Sequence, residues 1–156
     1  MLEAKSEINL FNASLKSNLE NLNFSSFPDL TILYLSSNAS HGTLTTMYIH
    51  RNNISGSIPQ EMGNLKNLIN LVLSNNFLTG SIPCTIGNLT KLTTLYIHTN
   101  NISGSILQEI GNSNNLIDLG MSYKLLSSSI PSTLGNLTKL VTLYMNENKI
   151  SGFIPQ

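Results

Sequence analysis

The chain is short of most residues that covalent chemistry, charge recognition or membrane insertion would use. Its 156 residues include a single cysteine, Cys84, and no tryptophan. A lone thiol excludes an internal disulfide and any metal site built from several cysteines. Charged residues make up 10% of the chain and sum to a formal net charge of zero, against about 25% charged in an ordinary soluble domain. No field of one sign is available to attract nucleic acid or an anionic lipid surface. No uninterrupted apolar run approaches the roughly 20 residues that cross a bilayer. The opening Met1-Leu2-Glu3-Ala4-Lys5-Ser6-Glu7 carries two acids and no apolar block, so it does not read as a secretion leader.

What is abundant is narrow. The chain holds 26 Leu, 16 Ile, 22 Asn and 21 Ser, together more than half of it. This is not the low-hydrophobicity, high-charge composition of a disordered chain. Solubility rests on neutral amides and hydroxyls, and so much asparagine implies a structural task for it.

Self-similarity at a fixed period organises the sequence. Stepping by 24 residues from Leu71, Leu73, Asn76, Leu78, Gly80, Ile82 and Pro83 reaches Met47, Ile49, Asn52, Ile54, Gly56, Ile58 and Pro59 on one side. On the other side it reaches Leu95, Ile97, Asn100, Ile102, Gly104 and Ile106, then Leu119, Met121, Leu126, Ile130 and Pro131, then Leu143, Met145, Asn148, Ile150, Gly152, Ile154 and Pro155. Residues 44–91 and 92–139 agree at 32 of 48 positions, so the duplicated unit is two repeats long. A third copy starts at Leu140 and stops after 17 residues.

Each part of the unit has a physical reading. Leu-x-Leu is a short strand with one buried face. The asparagine that follows stands where the chain bends and ladder partners run out, and its amide both donates and accepts. This predicts a structural row of Asn52, Asn76, Asn100 and Asn148. The glycine permits a backbone shape that costs other residues energy, and the proline favours an extended return. Each coil buries its apolar face only against its neighbours.

The pattern LxxLxxLxLxxNxLxGxIPxxIGNL, in register over residues 44–156, resembles the plant-specific class of leucine-rich repeats. That class is found in ectodomains of receptor-like kinases, in receptor-like proteins and in polygalacturonase-inhibiting proteins. Leu22-Asn23-Phe24-Ser25-Ser26-Phe27-Pro28-Asp29-Leu30 is similar to a segment near the start of many such arrays. The resemblance implies an α/β solenoid: a right-handed superhelix with a concave parallel β-sheet and mostly irregular or extended convex segments, in 24-residue repeats. It divides the chain into an N-terminal cover segment over 1–21, an irregular, shortened first repeat over 22–43, and plant-type repeats over 44–156, the last truncated. The cysteine-paired caps of such ectodomains are lacking, so the chain reads as part of a longer or shortened product.

The pattern breaks in three places. Asn38 to Asn52 is 14 residues rather than 24, which predicts a local defect around Ala39–Thr43. Lys124 replaces the asparagine and Ser128 the glycine of the fifth unit. Leu107 replaces the proline and Ser113 the leucine of the fourth. These substitutions predict a looser stack between residues 107 and 128.

Residues between the buried leucines point onto the concave sheet. They form columns: Tyr34, Tyr48, Val72, Tyr96, Gly120, Tyr144; then Ser36, His50, Ser74, His98, Ser122, Asn146; then Ser37, Arg51, Asn75, Thr99, Tyr123, Glu147. Thr46, Asn70, Thr94, Asp118 and Thr142 flank them. Tyrosines are rigid amphipathic anchors enriched at binding hot spots, although tyrosine also suits a parallel strand and recurs by duplication. The candidate ligand-binding residues are Tyr48, His50, Arg51, Asn70, Tyr96, His98, Asp118, Tyr123, Tyr144 and Glu147. His50 and His98 fall two coils and roughly 10 Å apart, too far to share one metal, and no metal or other cofactor is expected. Glu61 and Glu109 are separated likewise, Cys84 has no partner base in its motif, and no phosphate-cradling loop or kinase signature is present. Of seven N-glycosylation sequons, at Asn12, Asn23, Asn38, Asn53, Asn88, Asn101 and Asn136, those at Asn53, Asn88, Asn101 and Asn136 fall on coil edges or the convex side and are the glycosylation candidates.

The resemblance implies a non-catalytic recognition module: part of a receptor-like kinase or receptor-like protein ectodomain that binds a peptide or protein ligand on its concave face in cell-surface signalling. The kinase domain and membrane span of such receptors are not in this sequence. The implied partners are the ligand and a co-receptor that itself carries leucine-rich repeats, with no nucleic acid. The implied location is the extracellular face of the plasma membrane or the apoplast. Two alternatives stay open: an inhibitor of a secreted wall-degrading hydrolase, and a truncated duplicate without independent function.

Overall fold

The computed structural model describes residues 44–123 and 125–155, with the backbone of residues 7–9. Six three-residue strands form one parallel sheet: β1 (Glu7–Asn9), β2 (Thr46–Tyr48), β4 (Asn70–Val72), β6 (Thr94–Tyr96), β8 (Asp118–Gly120) and β10 (Thr142–Tyr144), paired in that order. From β2 onward the register advances by one repeat per rung. Met47, Leu71, Leu95, Leu119 and Leu143 are direct partners in line. Tyr48, Val72, Tyr96, Gly120 and Tyr144 form the adjacent line. The strand alternation therefore does what the Leu-x-Leu pattern requires. Met47, Leu71 and Leu119 are fully buried, and Leu68, Leu92 and Leu116 join them in the core at 0% exposure.

The return side of each coil is more regular than expected. Short strands pair there too, in two sets: β3 (Ser55–Ser57) with β5 (Phe77–Thr79), and β7 (Ser103–Ser105) with β9 (Leu125–Ser128) and β11 (Lys149–Ile150). Their register steps by 22 rather than 24, since Ser55 pairs with Phe77, Ser103 with Leu125 and Ser127 with Lys149. Each coil then closes through a 3-10 helix: Gln60–Asn64, Cys84–Asn88, Gln108–Asn112 and Ser132–Asn136. Among the described residues there is no α-helix. The helices stack closely: a Cβ on Gly63, Gly87 or Gly111 would collide with the backbone carbonyl of Thr85, Glu109 or Thr133 in the next coil.

The asparagine row links successive coils. Asn76 Nδ2 donates to Leu73 O in its own coil and to Ile49 O in the coil before, both at 3.0 Å, while its Oδ1 accepts from Ile54 N at 3.1 Å. Asn100 repeats this with Ile97 O, Leu73 O and Leu78 N, and Asn148 with Met145 O, Met121 O and Leu126 N. Asn52 donates within its own coil, to Ile49 O and His50 O. Backbone groups that would otherwise lie buried and unpaired at the bend are satisfied by one side chain.

The expected loosening between residues 107 and 128 does not occur. β8 keeps full register with both β6 and β10. Leu107 holds φ −79° and ψ 146°, close to the φ −70° and ψ 148° of Pro59. Ser128 takes φ 72°, the value Gly80 has at 74°. Neighbouring coils on both sides impose the backbone path: Leu107 follows it in ordinary extended geometry, and Ser128 bears the strain of a positive φ. In the sheet, the rung beside β2 is Glu7–Asn9. The rest of the cover segment 1–21, the shortened repeat 22–43 with the connection at Ala39–Thr43, and Lys124 lie outside the described residues.

Candidate ligand-binding face

The outward face of the large sheet carries the predicted columns, and the structure sorts them into three environments. In the strand column, Tyr48 and Tyr96 are half-buried and Tyr144 is exposed, while Val72 and Gly120 between them are buried. The reason is local at Gly120: a Cβ there would lie 2.8 Å from Tyr96 Cδ1 and 3.3 Å from His98 Cδ2. Tyr96 thus lies across Gly120, and the small residue is what allows the ring to lie down. Val72 and Gly120 are the bed of this column rather than its contact surface.

The second column follows the same alternation. His50 and His98 are half-buried, and Ser74 and Ser122 are buried. Each histidine meets the tyrosine two residues before it. The Tyr48 and His50 ring centroids are 6.1 Å apart at 89°, and those of Tyr96 and His98 are 5.9 Å apart at 60°. Edge contacts of this kind add to area burial and fix ring orientation. His98 Nδ1 lies 3.2 Å from Thr99 Oγ1, and the Ser122 hydroxyl donates to Asn146 Oδ1. Asn70, half-buried on the flanking column, donates to Thr46 Oγ1 at 3.3 Å. The face therefore shows two matching Tyr-His pairs two rungs apart, with Asp118 and Tyr144 beyond them.

Burial, and then the charge of Arg51, lower the His50 pKa from its ordinary 6.5. The Tyr96 phenol is pushed above its usual value of 10.0, by burial first and then by Asp118 and Tyr144. The acidic side of the face thus lies toward Asp118 and the basic side toward Arg51.

The third column is a correction. Arg51, Asn75, Thr99, Tyr123 and Glu147 all adopt φ between 54° and 56°, the left-handed region. The N–H groups of the first four still bond the next rung, as Arg51 N does with Ser74 O at 3.0 Å and Tyr123 N with Asn146 O at 3.0 Å. The left-handed turn nevertheless swings the side chains off the sheet and onto the solenoid's flank. There Arg51, Asn75, Thr99 and Tyr123 line a groove of about 570 Å³ with Phe77 and Asn101. Phe77 was not singled out from sequence, because it occupies a variable position between the asparagine and the next buried leucine. Its exposure of 54% is the sign that it is surface.

The sequons divide between two places. Asn53 and Asn101 follow the asparagine row on the flank, and Asn88 and Asn136 end 3-10 helices; all four are exposed. Tyr34, Ser36 and Ser37 lie outside the described residues. Among those residues, no three His, Cys, Asp or Glu side chains converge as metal ligands, and no helix is long and apolar enough to cross a membrane.

Residues 42–102 match the leucine rich repeat family profile. No curated protein matches the chain. Among solved structures, the chain is similar to the ectodomain of the plant membrane receptor kinase GASSHO1/SCHENGEN3 from Arabidopsis thaliana, crystallised with CASPARIAN STRIP INTEGRITY FACTOR 2. Identity is 32% and the TM-score 0.81, over 96% of this chain and 16% of that one. It is similar also to the Arabidopsis receptor kinase HAESA in complex with the peptide hormone IDA and the co-receptor SERK1, at 35% identity and TM-score 0.71, over 72% of this chain and 19% of that one. The BIR3–SERK2 complex from Arabidopsis thaliana aligns at 32% identity and TM-score 0.63, over 70% of this chain and 58% of its counterpart. The chain thus spans under a fifth of the length of the two receptor kinase ectodomains.

Proposed function

From a chain that is a leucine-rich-repeat solenoid of the plant type, we propose a recognition module that binds an extended peptide along its concave sheet, as part of a cell-surface receptor facing the extracellular space. The observation that carries the reading is the spacing of the two Tyr-His pairs. Tyr48 with His50 and Tyr96 with His98 stand in register two rungs apart, held by strands that do not need to rearrange. A preorganised surface of half-buried rings loses little entropy on binding, which leaves more of the contact energy as affinity. Support comes also from the structures the chain resembles, two of which contain a peptide hormone or an integrity factor bound to the receptor kinase.

The roles divide by environment. Tyr48, Tyr96 and Tyr144 supply apolar contact area with a polar tip. His50, His98, Asn70 and Asp118 supply directional hydrogen bonds between them. Arg51, Tyr123 and Glu147 stand on the flank, off the path of the ligand's centre. Phage-displayed random peptides selected on the immobilised full chain test this, followed by hydrogen exchange of the chain with one selected peptide. The proposal expects slowed exchange in the segments 46–50, 70–74, 94–98 and 118–122. Protection confined to the 3-10 helices would refute it.

A further inference from the structure

We infer that the flank groove beside Phe77 is the seat of an N-linked glycan carried by Asn101, whose first sugar packs between the Phe77 and Tyr123 rings. The inference rests on the extracellular reading above, since the modification belongs to the secretory route. Three observations converge. Asn101 opens the sequon Asn101-Ile102-Ser103, its side chain is exposed, and it forms part of the groove wall. The groove also holds two aromatic rings left half open to solvent, Phe77 at 54% and Tyr123 at 56% exposure. A sugar seated there buries part of both rings.

The groove wall itself decides which sequon has the platform. Asn101 belongs to it together with Phe77 and Tyr123, and Asn53 does not. Asn101 N bonds Leu78 O at 2.8 Å, which seats it against the residue after Phe77, and Thr99 N bonds Ser122 O at 3.1 Å, which brings Tyr123 beside Thr99 on the same wall. Pyranose rings present C–H faces that pack on aromatic rings, and their hydroxyls and acetamides seek amide and hydroxyl partners. Asn75 and Thr99 bring such groups to the groove, and Arg51 a cationic donor.

In the modification itself, the Asn101 side-chain nitrogen displaces the diphosphate from C1 of a polyprenyl-diphosphate-linked oligosaccharide. The N–C1 bond forms, the C1–O bond breaks with its electron pair leaving on the polyprenyl diphosphate, and the amide gives up one proton.

The test secretes the full chain from cells that make only high-mannose glycans and reads occupancy by peptide mass mapping. Endoglycosidase H then trims each glycan to its first N-acetylglucosamine. The expected result is that Asn101 is occupied and that the trimmed protein keeps its Tm. Asn101→Gln lowers Tm by roughly 2–4 °C, and the same substitution in a Phe77→Ala background changes little. If Asn101→Gln is not secreted, Ser103→Ala, which removes the sequon and keeps the asparagine, is read in its place. An unmodified Asn101, or an equal Tm loss with and without Phe77, overturns the inference. Binding of a selected peptide to the sheet is unaffected by Asn101→Gln, so failure here is distinguishable from failure of the recognition reading.

Discussion

At the residue scale, the sites that depart from the repeat carry strain or unmet bonding that the fold does not relax. Ser113 takes the place held by Leu65, Leu89 and Leu137 in the other coils, is fully buried, and its hydroxyl has no hydrogen-bond partner among the described residues. An unpaired hydroxyl in an apolar slot costs free energy, and the slot itself was shaped for a larger apolar group. Ser113→Leu is expected to raise stability by about 2 kcal/mol, read as a higher midpoint in urea unfolding; a lower midpoint would show that the slot has closed around the serine. His50 gives a pH dependence of known sign. Its pKa is lowered in the folded chain, by burial and then by Arg51, so the unfolded chain binds more protons as pH falls below 6.5. Stability therefore declines as pH drops through that value. Tm is expected to fall between pH 7.5 and pH 5.5, and the fall should shrink in His50→Gln. An identical decline in both proteins would assign the effect to other groups.

At the element scale, the asparagine row is the strongest link between one coil and the next. Asn100→Ala takes the acceptor from Leu78 N and one donor each from Ile97 O and from Leu73 O, which Asn76 Nδ2 still reaches, in a region where Asn100 itself is 7% exposed. Unpaired buried backbone groups make this expensive, and a loss of about 2–4 kcal/mol is expected in urea unfolding. The converse substitution is available in the fifth coil. By the row's spacing, an asparagine at position 124 would accept from Ile102 N as Asn100 Oδ1 accepts from Leu78 N; a lysine ammonium has no acceptor to offer. Lys124→Asn is expected to stabilise by about 1 kcal/mol, and the gain should vanish if the row ended at Asn100.

Much of this scale was legible in the sequence. The 24-residue period fixed the strand register, because Leu71, Leu95, Leu119 and Leu143 have no other way to share one core. The left-handed turn after each strand was not legible. Arg51, Thr99, Tyr123 and Glu147 give no residue-type signal for positive φ, and the conformation belongs to the coil itself, since Glu147 takes φ 56° with no rung beyond it among the described residues. The expectation of a loosened stack failed for a related reason: it weighed Leu107 and Ser128 singly, whereas coils on both sides dictate their backbone. In the site, the Tyr and His columns were legible from alternation alone. The flank groove and the bed beneath Tyr96 depend on the stagger between rungs, which a linear pattern does not carry.

At the scale of the whole molecule, the solenoid presents three distinct surfaces. The concave sheet holds paired rings on a bed of small buried residues, and the flank holds the groove beside Phe77. The convex side consists of stacked 3-10 helices joined by side-chain bonds such as Thr85 Oγ1 to Gln60 O at 2.6 Å and Thr133 Oγ1 to Gln108 O at 2.7 Å. The last described coil has Leu143 at 37% and Val141 at 81% exposure, whereas Leu71 and Leu95 are buried to within 1%. Stability in such an array is shared between neighbours, and both Tyr-His pairs lie on rungs that have a partner on each side. A rigid curved sheet with aromatic anchors is suited to holding one extended chain. The most direct measurement is the affinity of a selected peptide for Tyr96→Ala beside that for Phe77→Ala, by titration calorimetry. The concave reading predicts at least a tenfold loss for Tyr96→Ala, as expected of a buried aromatic anchor, and no change for Phe77→Ala. Unchanged affinity in Tyr96→Ala, with loss in Phe77→Ala, would contradict it.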